Sequence, residues 1–86
     1  MKKVVMVDFE KLGLKSLGLV TREEFSDLPE GTIDEGEIAV YIPMAYMIGG
    51  FTVMVPRSSV KSVDIPVEKA IKLAITGWIK AEKNGL

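Results

Sequence analysis

Few residues in this chain could do chemistry, and their types and spacing limit what it could be. Two adjacent acidic pairs, Glu23-Glu24 and Asp34-Glu35, offer carboxylates for acid–base work or for a hard divalent cation. Adjacent carboxylates say nothing about spacing across a cleft. The segment around them also lacks the Asp-x-Asp-x-Asp-Gly order of a calcium loop. A solvated acidic surface is the better reading. Ser58-Ser59 follows Arg57 and could suggest a hydroxyl nucleophile, but the chain has no histidine to activate it. A turn or capping role suits that pair better. Asp8, Lys15 and Arg57 could converge, but nothing in the sequence requires it. No catalytic residue, metal site or cofactor is expected, and the chain is read as no enzyme.

The sharpest feature is apolar. Residues 38–56 run without one charge, nineteen positions in all, which is the length of a membrane-crossing helix. Pro43 would break such a helix, and Gly49-Gly50 would weaken it further. On either side of these breaks the sequence alternates, with Ile38, Val40 and Ile42 on one strand face and Phe51, Val53 and Val55 on another. Two strands around an apolar loop explain the run, and the chain is expected to be water-soluble. The loop gathers Met44, Tyr46, Met47 and Ile48. One reading folds them back as a plug on the core. The other makes them an interaction surface, with Arg57 at its edge to pair a phosphate or carboxylate.

These residues need a scaffold, and 86 positions suffice for one small domain, expected to span residues 1–86. A net charge of −1, with scattered basic residues, leaves no electrostatic footprint for nucleic acid. The apolar start after Met1-Lys2-Lys3 is cut short by Asp8 and Glu10, too early for a signal peptide. The pattern predicts an α+β fold. About five mainly antiparallel strands, near 3–10, 14–21, 37–42, 51–55 and 60–63, form a twisted sheet or partial barrel. Gly18 suggests a bulge or a close backbone approach. Residues 22–36 read as an exposed acidic loop with one helical turn at 23–28.

A C-terminal helix is expected over about 66–79, packed on the sheet. Its stripe is Val67, Ala70, Ile71, Ala74, Ile75 and Trp78, with Asp64 at its N-terminus and Trp78 buried. Gly77 weakens or ends it.

The stretch from Tyr41 through Arg57, followed by Val60, Asp64 and Val67-Glu68-Lys69-Ala70, resembles domain-of-unknown-function family 502. That family includes continuous-vascular-ring-like proteins and many bacterial membrane proteins. Leu14-Lys-Ser-Leu-Gly-Leu-Val-Thr21 resembles another of its blocks, and the likeness runs over roughly residues 4–79. Many members carry a Pro-Asn-Pro-Thr-rich loop where this chain has Met44-Ala-Tyr-Met-Ile48, and members usually have two membrane helices ahead of this domain. The resemblance implies a membrane-extrinsic binding or assembly domain at the cytoplasmic face of the inner membrane, self-associating or bound to a protein. This chain shows no such pair of spans, so it is expected to be either a fragment of a longer protein or a naturally span-free relative, and the Met-Lys-Lys start into a strand favours the fragment. The alternative is a small-molecule-binding regulatory domain or small enzyme, with a pocket between loop 44–50 and the helix.

Overall fold

The computed structural model describes residues 3–44 and 49–79. Five strands follow the apolar pattern: β1 (Lys3–Phe9), β2 (Leu14–Arg22), β3 (Glu37–Pro43), β4 (Gly50–Pro56) and β5 (Val60–Ser62). Helix α1 (Val67–Ile75) comes after them. The strands form one antiparallel sheet in the order β4-β3-β2-β1-β5. A 3-10 turn over Glu10–Leu12, closed by Gly13, joins β1 to β2.

The last connection dictates the shape. β4 and β5 are opposite edges of the sheet, yet only the 3-10 turn Arg57–Ser59 separates them. In a flat sheet those edges would lie about 19 Å apart, four spacings of about 4.8 Å. A 3-10 segment of this length advances only about 8 Å, and even an extended chain would reach about 14 Å. The sheet must therefore curl. Its ends meet accordingly: Val55 and Pro56 of β4 share a cleft with Asp8 and Phe9 of β1 and with Ser59. The sheet stays open, because β4 and β5 do not pair.

Curling gives the sheet two apolar faces. Val5 and Val7 of β1, Val20 of β2, Ile38, Val40 and Ile42 of β3 and Val55 of β4 fill the concave side, and among the described residues no helix lies over them. A flat sheet could not bury Val7, Val20 and Val40 completely on an uncovered face, as they are buried here. The walls close on each other at Gly18, where a Cβ would stand 2.4 Å from Val40 Cγ1 and 3.3 Å from Val7 Cγ2. Gly18 thus serves a close approach, while the irregular register in β2 falls between Val20 and Arg22. The convex side presents Val4, Leu17 and Leu19, on which α1 packs Ala70 and Ala74.

Two local expectations are corrected. Among the described residues, 23–28 hold no helical turn. The Leu28 N–H donates to the Phe25 carbonyl at 3.0 Å, which makes a β-turn. Helix α1 starts after Pro66 and has no side-chain cap, so Asp64 does not cap it.

Gly18→Ala should destabilise the protein by about 1–3 kcal/mol, the usual cost of overpacking a filled interior. Chemical denaturation measures it directly, and an unchanged midpoint would contradict the close approach.

Candidate functional site

The chain beyond α1 turns back at a defined stop. The Gly77 N–H donates to the Ala74 carbonyl at 3.1 Å and the Trp78 N–H to the Leu73 carbonyl at 2.8 Å. With Gly77 at φ 64°, this is a Schellman motif, in which glycine takes the left-handed position without a Cβ penalty. Trp78 also has a positive φ of 67°, uncommon for a bulky residue and a source of about 1 kcal/mol or more of strain.

That stop corrects the expected stripe. The helix ends at Ile75, so Trp78 leaves the helical phase and is 52% exposed, while Ile75 also faces outward. The buried face is Ala70, Leu73 and Ala74. Two alanines there let the helix come close to Leu17 and Leu19. The larger residues Val67 and Ile71 flank the contact, half-buried.

Between the helix end and the sheet lies an open cleft of about 380 Å³. Met6, Leu17 and Pro43 form its sheet wall, and Ala74, Gly77 and Trp78 its helix wall. Its polar side chains are Lys15 and Ser16, and the Ser16 hydroxyl donates to the Leu17 carbonyl at 3.1 Å. Met44, at the end of the Pro43 wall, is 39% exposed. Tyr46, Met47 and Ile48, expected to form the contact surface with it, lie outside the described residues.

Arg57 is elsewhere. It follows β4, whereas Met44 stands beside the strand's start, some 20 Å away at about 3.3 Å per residue. The Arg57 guanidinium donates to Glu23 Oε1 at 2.6 Å, and its backbone N–H donates to the Gly36 carbonyl at 2.8 Å. Lys3 Nζ stands 4.0 Å from the same Glu23 oxygen. Arg57 thus holds both ends of the acidic segment. Arg22 organises the segment's start: its Nε donates to the Glu24 carbonyl at 2.8 Å, Nη2 bonds Asp27 Oδ1, and the guanidinium lies 5.3 Å from the Phe25 ring centre.

Asp8 and Lys15 are cross-strand partners in β1 and β2. With Ser58, Ser59 and Lys61 they line a shallow hollow of about 180 Å³. Sequence reasoning had no means of joining Lys15 to the serines, because the pairing of β1 with both β2 and β5 creates the neighbourhood. Among the described residues, no three acidic side chains are grouped to hold a metal.

Five antiparallel strands in a curled open sheet with one helix on its convex side define an α+β domain. Residues 1–50, more than half of the chain, match the family described as protein of unknown function (DUF502), and the chain belongs to that family. The match takes in Leu14–Thr21 and ends at Gly50, so β4 beyond that residue, β5 and α1 lie outside it. No curated protein and no solved structure matches the chain.

Trp78→Ala should cost about 1 kcal/mol or less, as for exposed side chains, while Leu19→Ala, fully buried beneath α1, should cost about 2–5 kcal/mol. Native emission from the chain's one tryptophan should be that of a hydrated indole. A strongly blue-shifted maximum would place Trp78 inside the core instead.

Glu24 gives a pH expectation. The Ser26 N–H donates to Glu24 Oε1 at 2.9 Å, and with the Ser26 hydroxyl and Arg22 it holds the carboxyl below its ordinary value of 4.5. A depressed carboxyl stabilises the fold above its unfolded value and loses that contribution as pH falls through the folded value. Carboxyl NMR titration should put the Glu24 midpoint below that of a free glutamate. A midpoint at or above it would mean that the turn is not formed in solution.

Proposed function

We propose that this chain is a binding and assembly domain lying outside the bilayer in a membrane protein, and that the cleft beside Trp78 is its contact surface. The observation that carries the reading is the character of the cleft. It is open and mostly apolar, with no convergent acid–base groups; the exposed Trp78 lines it, and the exposed Met44 and Ile79 follow its lining residues Pro43 and Trp78 in the chain. Contiguous exposed apolar surface marks an interaction site more often than a reaction centre. The membrane part of the reading rests on the resemblance to a family that includes membrane proteins. Among the described residues no helix is long and apolar enough to cross a bilayer, so other parts of the parent protein would supply the spans.

We read the domain as no enzyme. Glu23 is engaged by Arg57 and Glu24 by Ser26, so two of the four paired carboxylates serve local structure. One observation favours the small-molecule alternative. The cleft volume falls within the range of ligand pockets, roughly 300–1,000 Å³. Its openness and the single charge of Lys15 weigh toward an apolar protein segment instead.

The test replaces Trp78 with the photo-crosslinker benzoylphenylalanine in cells of the natural host, with Thr32, exposed in the acidic segment, as control position. Adducts at position 78 to a defined membrane-embedded chain are expected. Adducts to small metabolites alone, or none above the Thr32 control, would sink the proposal.

A further inference from the structure

The two edges of the sheet are treated differently. β5 is only three residues long and carries Lys61, both ordinary protections against edge pairing. β4 is a seven-residue edge, Gly-Phe-Thr-Val-Met-Val-Pro, with no charged residue. Its hydrogen-bonding phase follows from its two ends. The Met44 N–H donates to the Gly49 carbonyl at one end, and the Arg57 N–H to the Gly36 carbonyl at the other. Both bonds fall on the continuous β3–β4 register. Hydrogen-bonded pairs alternate along an antiparallel ladder, so Phe51, Val53 and Val55 bond to β3. Gly50, Thr52 and Met54 then direct their N–H and C=O groups away from the sheet. All three are exposed, and among the described residues no other segment bonds to those groups.

We propose that this edge pairs with β4 of a second copy of the chain, antiparallel about a two-fold axis at Val53. The strand is complementary to itself in that register. Thr52 stands opposite Met54 of the second copy, and each of these symmetry-related pairs exchanges two backbone hydrogen bonds. Pro56 has no N–H to offer, but its carbonyl meets the N–H of Gly50 in the second copy. Val53 faces Val53 across the axis, and the half-exposed Phe51 gains Val55 as a cross-strand neighbour. Arg57 falls beside Gly49 of the second copy, so no like charges oppose each other. An uncharged strand of this kind suits an isologous contact, which demands that one surface fit itself. The interface is separate from the cleft, and each can fail without the other.

Sedimentation equilibrium of the 86-residue chain provides the test. The wild-type chain should be a dimer. Thr52→Lys with Met54→Lys sets like charges opposite each other across the axis and should raise the dissociation constant roughly tenfold or more. Thr52→Lys with Met54→Glu sets opposite charges there and should keep the dimer. A monomeric wild type, or equal association by the two double variants, would overturn the proposal. Should a variant not fold, amide exchange in the concentrated wild-type protein decides. Thr52 and Met54 should exchange as slowly as Val53; exchange as fast as in an open loop would refute the pairing.

Discussion

The structure depends on a connection too short for a flat sheet. Three residues between opposite edge strands oblige the sheet to curl, and the curl creates a concave core that no helix covers among the described residues. Valine and isoleucine suit that interior because their branched side chains fill a pleated, tightly curved surface with few rotamers to lose. Gly18 is the point where the constraint is most severe, since any side chain there would occupy space already taken by Val40.

The convex side follows from the same geometry. A curled sheet exposes a second apolar face, and α1 is too short to cover it all. Nine residues shield Val4, Leu17 and Leu19, and the Schellman stop then directs the chain away from the axis. The space between the helix end and Pro43 remains open, so the cleft is the part of the convex face that the helix does not reach. A glycine stop in the sequence thereby sets both the length of the helix and the presence of the cleft.

Much of the fold was legible in the sequence, because alternating apolar residues and turn-forming glycines report strands locally. The strand pattern at Ile38–Val40–Ile42 and Phe51–Val53–Val55 corresponds to the concave face of β3 and β4. The phase of α1 was less legible. The expected stripe of Val67, Ala70, Ile71, Ala74, Ile75 and Trp78 contained two of the three buried residues, but it missed Leu73 and put Ile75 and Trp78 on the buried face. Close packing on the sheet favours the small residues, a preference that periodicity does not record. The candidate site was less legible still. Pro43 and Trp78 lie far apart in sequence and meet only through the docking of the helix. Arg57 was set at the edge of the apolar loop although the strand expected between them already carries it to the opposite end of β4.

The order of pairing also bears on how the chain finds its shape. β1–β2 and β3–β4 are local hairpins, each formed by closing a short loop. The β1–β5 ladder is different, for it joins the first strand to the last, Val5 to Ser62. Loop-closure entropy rises with the logarithm of the enclosed length, and pairings of high contact order slow folding. The fifth strand thus sets a kinetic checkpoint. Two hairpins can assemble early on local information, but the curl becomes permanent only when the most distant ladder zips, and the helix that follows gains its platform at that moment.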